Sequence, residues 1–199
     1  MSTMIDIRRL RDVNRLAKAG AETVAEHLTQ LTGVETEMEI TKINVLDIED
    51  LGAHLGKERV VGVNVPLLEH PHGTVLILFD DGSAKTLAHT MVGGTGDDEP
   101  GYSEMERSAI KEVGNIMTSG FIDGWANVLG RTIDISTPQL LRAEGDTIVE
   151  HSVESGGHEI ALLFDSTLKA PDVNVEATIY TFPNIEEFVE LINSIEHAG

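Results

Sequence analysis

Two long stretches of helical periodicity, 97 residues apart, constrain the fold of this chain more than any other feature. One runs from Ile5 to Thr32 and the other from Ser103 to Gly130, and in both the apolar residues recur at three- and four-residue spacings. Shifting the first stretch by 97 places Val13 on Ile110, and the two apolar stripes then coincide. The expected buried positions are Val13, Leu16, Gly20, Val24, Leu28 and Leu31 in the first helix, and Ile110, Val113, Met117, Phe121 and Val128 in the second.

Strand patterns follow each predicted helix. After the first helix, which Gly33 should stop, apolar and polar residues alternate as in a half-buried strand. The first half is predicted to contain a strand at 33–43, a helical turn at 46–56, strands at 58–69 and 72–80 joined by a turn at 71–73, and a helix at 83–92. The second half is predicted to contain a strand at 131–137, a strand pair at 148–153 and 158–165, a strand at 173–182, and a C-terminal helix at 183–197 with Pro183 in its first turn.

The two halves are interpreted as an internal duplication. A second match, at an offset of 102, joins the last strand and helix of each half. The repeats cover about 5–93 and 102–197, and the segment 93–101, which contains Gly, Asp and Pro, links them. Few helices lie between the strands to serve as parallel crossovers. The sequence therefore predicts one α+β domain over 1–199, in which both halves share a mostly antiparallel sheet of about six strands with helices packed on one face.

The acidic composition excludes several kinds of partner. The chain has 34 Asp and Glu residues against 14 Lys and Arg, and the formal net charge of −20 would repel nucleic acid and anionic membrane surfaces. The acidic residues are spread along the chain, which favours adaptation to high salt over an acidic tail for one basic partner. With no cysteine and no apolar run of about 18 residues, a soluble cytoplasmic protein is expected.

The outer side of the second helix carries a line of polar residues at spacings of four, three and four. These residues are Ser108, Glu112, Asn115 and Ser119. A solvated helix face would show the same pattern. The neighbouring Gly114 favours a functional site, because an interior helix glycine costs about 1 kcal/mol and usually marks a close approach by another backbone. Asn115 is also a poor helix former in mid-helix, away from any cap.

A carboxamide on such a face can position water for phosphoryl hydrolysis. It presents a donor and an acceptor without taking a proton, and in-line positioning supplies much of the catalysis when the transition state is loose. Glu112, one turn away, can pair with a phosphate-binding lysine or serve as a docking contact. No cluster of metal ligands accompanies the line, so no metal or cofactor of the chain's own is expected.

The segment from Ser108 to Ile116 resembles the Asp/Ser-x-x-x-Glu-x-x-Asn motif of the CheC/CheX/FliY phosphatases, and the duplication makes CheC the nearest match. These enzymes of bacterial and archaeal chemotaxis dephosphorylate the response regulator CheY. The resemblance implies that Asn115 orients the attacking water and that Glu112 contacts a lysine of the regulator. Ser108 and Ser119 are assigned to substrate docking, and Mg²⁺ is expected in the regulator's own acidic pocket.

The first helix departs from this motif. At an offset of 97 its outer line consists of Arg11, Arg15 and Lys18, which cannot perform the same chemistry. A solvated basic face and a contact for an acidic partner both remain open for these residues. One active site is therefore predicted. The alternative hypothesis is a non-catalytic adaptor of the same pathway that binds CheY or the receptor deamidase CheD.

Histidines and the single tryptophan are weaker candidates. His70 and His72 flank Pro71 at a spacing that can bind a metal if a third ligand is present. No third ligand is evident in the sequence, so an ordinary surface turn is expected. Trp125 lies at the margin of the apolar sector and is expected to pack in the core.

Overall fold

The computed structural model describes residues 9–93, 101–153, 160–171 and 173–195. The helices are α1 (Leu10–Thr32), α2 (Ile48–Leu55), α3 (Asp81–Val92), α4 (Glu104–Leu129), α5 (Gly145–Val153) and α6 (Ile185–Ser194). The strands are β1 (Glu37–Asp47), β2 (Arg59–Leu67), β3 (Gly73–Asp80), β4 (Gln139–Glu144), β5 (Ile160–Ala170) and β6 (Val173–Pro183). The same order of elements, helix, strand, helix, two strands and helix, therefore occurs twice along the chain.

All six strands form one sheet in the order β1-β5-β6-β3-β2-β4, and every neighbouring pair is antiparallel. Exchanging corresponding strands of the two halves reverses this order onto itself. The centre of the sheet is the β3–β6 pair, where Ile77 lies opposite Ile179. The predicted α+β fold with a shared antiparallel sheet is confirmed, and reading the two halves as repeats remains an interpretation of this symmetry.

Side-chain alternation divides the sheet into two buried faces. On β3, Val75, Ile77 and Phe79 pack with the four longer helices α1, α3, α4 and α6. The intervening Leu76 and Leu78 pack with α2 and α5 on the opposite side. Helices on one face were predicted. The helical turn predicted at 46–56 is confirmed as α2, but its position on the other face, together with α5, was not predicted. Gly62 provides room for α5, because a Cβ there would lie 3.1 Å from Cγ2 of Ile148.

The first strand begins later than predicted, and the predicted start of the first helix lies outside the described residues. Helix α1 starts at Leu10, and the predicted residues 5–8 lie outside the described part of the chain. Gly33 ends α1 with φ of 69°, as expected for a left-handed C-cap. Strand β1 starts only at Glu37, because the Thr36 amide donates to the Thr29 hydroxyl at 2.9 Å and keeps the preceding residues against the helix end. Leu31, predicted to be buried, is 51% exposed.

The predicted strand at 131–137 is not a regular strand. Its residues make a single bridge, between Ile135 and Leu67, and the Ser136 amide donates to the Pro66 carbonyl at 2.8 Å. Pro138 has no amide hydrogen, so the regular ladder to β2 begins only with β4, which the sequence did not predict.

The predicted strand at 148–153 is wrong, because these residues belong to α5. Its buried residues Ile148, Val149 and Ser152 are spaced as on one helical face. A run of six residues is too short for periodicity to separate the two structures, and the β-branched composition favoured a strand. The proposed pairing of this segment with β5 is therefore also wrong, and β5 pairs with β1 and β6 instead.

The remaining boundaries concern the connecting segments. Pro183 is the last residue of β6, and Asn184 caps α6 by accepting a hydrogen bond from the Glu187 amide at 3.1 Å. Most of the predicted linker, 94–100, lies outside the described residues, as do 154–159 and the last predicted helical residues, 196–197. Among the described helices none has both the length and the apolar character that a membrane crossing requires.

Candidate functional site on the outer face of α4

Defined caps fix both ends of α4. The Glu106 amide donates to the Ser103 hydroxyl at 3.2 Å, and the Ser103 amide donates to the Glu106 carboxylate at 2.7 Å. The hydrogen bond from the Ser103 amide is the main cause that holds the pKa of Glu106 below its ordinary value, and His89 at 3.4 Å adds to it. Gly130 ends the helix in the left-handed conformation, with φ of 64°. The helix therefore runs from Ser103 to Gly130 as the sequence predicts.

Three glycines on the inner side of α4 allow the helix to pack closely against α1 and the sheet. A Cβ on Gly114 would lie 2.4 Å from Cγ2 of Val63 on β2, and one on Gly120 would lie 2.9 Å from Cα of Val24. A Cβ on Gly124 would lie 2.5 Å from the α1 backbone at Ala19 and Gly20. Gly120 meets Val24, whereas Gly124, further along α4, meets the earlier residues Ala19 and Gly20 of α1. The two helices therefore run antiparallel. Their close contact leaves α4 little freedom to shift against α1 and the sheet.

The polar line lies on the side of α4 that faces away from this packing. At 100° per residue its four members fall within a sector of about 60°, centred roughly 160° from the buried side. Ser108 and Glu112 are exposed, and Asn115 and Ser119 are half-buried. Along the helix axis, Glu112 and Asn115 lie about 4.5 Å apart.

The side chains of this line differ in whether they form hydrogen bonds within the protein. The Ser119 hydroxyl donates to the Ile116 carbonyl at 3.2 Å. Glu112 and Asn115 make no hydrogen bond or ion pair with any residue in the described ranges. Carboxylate and carboxamide groups without a hydrogen-bond or ion-pair partner in the described part of the chain are available to meet another molecule.

The structure changes the interpretation of Gly114. The sequence argument took this glycine as a sign of a functional site, whereas its neighbour in the structure is the buried side chain of Val63. The close approach expected there is real, and its partner is a side chain of the sheet. Gly114 therefore serves packing, and the case for a site rests on Glu112 and Asn115.

The corresponding line on α1 is basic and exposed. Arg11, Arg15 and Lys18 all face solvent, and Lys18 lies 3.8 Å from Glu22 in an exposed ion pair. Because Gly20 is level with Gly124, Lys18 is level with about residue 126, roughly 16 Å along the helices from Asn115. The two lines therefore occupy opposite ends of the α1–α4 pair.

A shallow depression beside Ser108 was not predicted. Its lining includes Arg107 and Lys111 of α4 and Gln139 at the start of β4. Glu104 also lines the depression, so its charged groups are two basic residues and one acidic residue on an otherwise acidic protein. No sequence pattern could indicate it, because β4 itself was not predicted.

Arg142 anchors β4 beside the start of α4. Its Nε and Nη2 donate to the Asp81 carboxylate, both at 3.2 Å, and its guanidinium lies 4.9 Å from the centre of the Tyr102 ring. Tyr102 donates its hydroxyl to Asp81 at 3.0 Å, and burial together with the Asp81 charge raises its pKa. This cluster ties α3, β4 and the residue before the α4 cap together.

Trp125 packs in the core, as predicted. Its side chain is 1% exposed, and its ring lies 5.4 Å from that of Phe121 and 5.7 Å from that of Phe188. It therefore belongs to the inner side of α4 and takes no part in the polar line.

The six-stranded antiparallel sheet and the two-faced α4 are the features expected of the class that contains CheC, CheX and FliY. A model of the CheC-like family matches residues 105–142, which include nearly all of α4 and extend into β4. Over 195 residues, 98% of this chain and 100% of the relative, the sequence is 70% identical to the "Putative CheY-P phosphatase CheC1" of Halobacterium salinarum. The chain belongs to the CheC family. The source of that relative supports the interpretation of the acidic surface as an adaptation to high salt.

Solved structures of low identity share the fold. The chain resembles FliY of Thermotoga maritima with a TM-score of 0.78 and 16% identity, covering 98% of this chain and all of that one. It resembles the CheX chain solved with CheY, BeF3 and Mg²⁺ from Borrelia burgdorferi with a TM-score of 0.51 and 20% identity, covering 83% and 96% of the two chains. These similarities confirm the architecture only.

Proposed function

We propose that this protein hydrolyses the aspartyl phosphate of a CheY-type response regulator at the outer face of α4. The observation that carries the proposal is that Glu112 and Asn115 are carried on a closely packed helix and make no hydrogen bond or ion pair with any described residue. The name of the Halobacterium salinarum relative supports the same activity. The CheX structure solved with CheY supports a regulator as partner.

Asn115 orients the attacking water in this proposal. The carboxamide oxygen accepts a hydrogen bond from the water while the amide group donates to an oxygen of the water or of the phosphoryl group, and no proton is taken. Phosphoryl transfer through a loose transition state is accelerated mainly by such in-line positioning. Because α4 cannot shift easily over Val63, the backbone that carries Asn115 is held in place before the regulator binds.

The other residues of the line dock the regulator. Glu112 pairs with the lysine beside the phosphate, and Ser108 contacts the regulator at the edge of the surface. Ser119 donates its hydrogen to Ile116, so only its oxygen lone pairs remain for a donor on the partner. Mg²⁺ belongs to the acidic pocket of the regulator. The basic groups of Arg107 and Lys111 add attraction for an acidic partner surface.

Phosphate decay tests the proposal. The regulator is labelled with phosphate, and its decay is followed with wild-type protein in molar KCl, so that the acidic chain stays folded. Asn115→Ala should slow the catalysed decay by about 100-fold, the cost of losing the positioning of one reactant. Glu112→Ala should weaken regulator binding and slow decay as well. Asn127→Ala is the matched control, an exposed asparagine three turns further along α4. Unchanged decay with Asn115→Ala and Glu112→Ala would sink the proposal.

A non-catalytic adaptor is the second candidate, and the basic line on α1 favours it. Arg11 and Arg15 are exposed, with no ion pair to any described residue, so they are available to an acidic partner. A pull-down with CheD in high salt separates the two functions. Capture of CheD that Arg11→Glu and Arg15→Glu abolish, with no effect of the wild type on the lifetime of the phosphorylated regulator, would favour the adaptor.

A further inference from the structure

Three potential metal ligands meet where the β2–β3 turn contacts the start of α6. His70 and His72 come from the turn, and Glu187 comes from the first turn of α6, 115 residues after His72. One donor atom of each side chain lies within 4.8 Å of the other two. The sequence predicted an ordinary surface turn because it offered no third ligand, and the fold supplies one.

Backbone contacts hold the three groups together. The His72 amide donates to the Glu187 carboxylate at 2.6 Å, and the Asn184 amide donates to the His72 carbonyl at 2.7 Å. Asn184 also caps the helix through the Glu187 amide. The turn and the helix start are thus fixed to each other by contacts that do not involve the imidazole rings, so the ligand set is preorganised.

The distances suit a small tetrahedral ion. Zinc bonds of about 2.0–2.1 Å place neighbouring ligand atoms roughly 3.4 Å apart in a tetrahedron. The His72 Nδ1 atom and the His70 Nε2 atom lie 3.0 Å and 3.5 Å from the same oxygen, Oε1 of Glu187. The three donor atoms all lie within 4.8 Å of one another, and the two imidazole side chains are 56% and 54% exposed. The carboxylate is 20% exposed and sits at the base of the cluster.

We propose that His70, His72 and Glu187 form a binding site for a divalent transition-metal ion of the zinc class. Two imidazoles and one carboxylate favour Zn²⁺, Ni²⁺ or Cu²⁺ over Mg²⁺ and Ca²⁺, which prefer sets made of oxygen ligands. The three protein groups leave the fourth ligand position to water. The depression beside the two histidines is also lined by Glu69 and Arg131, one charge of each sign.

This site is separate from the polar line of α4. The depression beside His70 and His72 is also lined by Arg131 and Thr132, which follow the end of α4. Asn115 lies 14 residues before the last residue of α4, which corresponds to about 21 Å along the axis. A bound ion would cross-link the β2–β3 turn to α6, and binding to the folded state alone would raise the unfolding temperature with metal concentration.

Metal titration of the full-length protein tests this proposal. After treatment with a chelator, Zn²⁺ binding is measured by calorimetry, and Co²⁺ is used as a probe whose visible spectrum reports four-coordinate geometry. One Zn²⁺ per chain is expected, with a rise in unfolding temperature. His70→Ala and His72→Ala should each weaken binding by about 100-fold or more, because even outer-shell partners cost about 10–100-fold.

Matched variants keep the test decisive. His54→Ala removes an exposed histidine of α2 that lies outside the cluster and should leave binding unchanged. Glu187→Gln keeps an oxygen that can accept from the His72 amide, and circular dichroism checks that it is folded before its affinity is compared. Binding that survives both His70→Ala and His72→Ala, or no binding by the wild type, would overturn the proposal. Decay of the phosphorylated regulator should be the same for His70→Ala and the wild type.

Discussion

Gly114→Ala tests whether the glycine beside Asn115 serves packing. The new Cβ would lie 2.4, 2.5 and 2.7 Å from Cγ2, Cβ and Cγ1 of Val63, whereas packed carbons lie about 3.5–4.0 Å apart. Val63 is fully buried in β2, which is paired with β3 on one side and β4 on the other. It cannot move aside, so α4 must rise from the sheet by about 1 Å.

The expected loss of stability follows from two opposing terms. Overpacking of a buried site costs about 1–3 kcal/mol, and Val63 leaves no room for relief, so the upper part of that range applies. Replacing an interior helix glycine by alanine returns up to about 1 kcal/mol. The net loss should be about 2 kcal/mol, which corresponds to a drop of about 4–8 °C in Tm for a chain of this size.

Denaturant unfolding in high salt measures this loss, and Gly52→Ala is the matched control. Gly52 also lies inside a helix, but a Cβ there would meet nothing within 4 Å, so the same substitution should stabilise by up to about 1 kcal/mol. Gly114→Ala should also lower the rate at which the protein dephosphorylates the regulator, because a shift of α4 by about 1 Å misplaces Asn115. A Gly114→Ala protein as stable as the wild type would refute the packing argument.

The cap of α4 and the surface charge give further measurable outcomes. Ser103→Ala should lower the free energy of unfolding by about 1 kcal/mol, because the Glu106 amide loses its acceptor, and denaturant titration measures it. The stability deficit of Glu106→Gln should be complete above about pH 4.5 and vanish as the pH falls through the lowered pKa of Glu106. Glutamine keeps an oxygen that accepts from the Ser103 amide but loses the charge that strengthens this bond and attracts His89; a deficit unchanged across that range would contradict this. Raising KCl from about 0.1 to 1 M shortens the screening length from about 10 to 3 Å and should raise Tm, since the net charge is −20; a constant or falling Tm would contradict the salt interpretation.

Long periodic segments are the parts of this fold that the sequence predicts well. Helix α4 has 26 residues, enough turns for its apolar and polar sides to separate clearly, and capping signals at both ends. The antiparallel pair β2–β3 follows from two apolar runs around a short turn. The polar line was found in the same way, and the catalytic role of Asn115 stays a prediction.

The errors arise where the structure depends on distant contacts. Helix α5 was predicted as a strand because of its β-branched residues. Its helical structure depends on packing against β2, where Gly62 leaves room for Ile148. Strand β4 was not predicted from its own sequence, and it is defined in the structure by its pairing with β2. The third potential metal ligand, Glu187, reaches His72 across 115 residues, a separation that no local pattern encodes.

Comparison of the two halves shows that the fold does not require glycine at the position of Gly114. At the offset of 97, the residue that corresponds to Gly114 is Ala17, which is buried on α1 with 1% exposure. A helix in that place therefore accepts a Cβ. At Gly114 a Cβ would instead lie 2.4 Å from the Val63 side chain of the sheet. Gly114 allows α4 to lie close to the sheet, and Asn115 lies on the outer side of the helix held at that distance. The two adjacent residues therefore contribute to the proposed site in different ways.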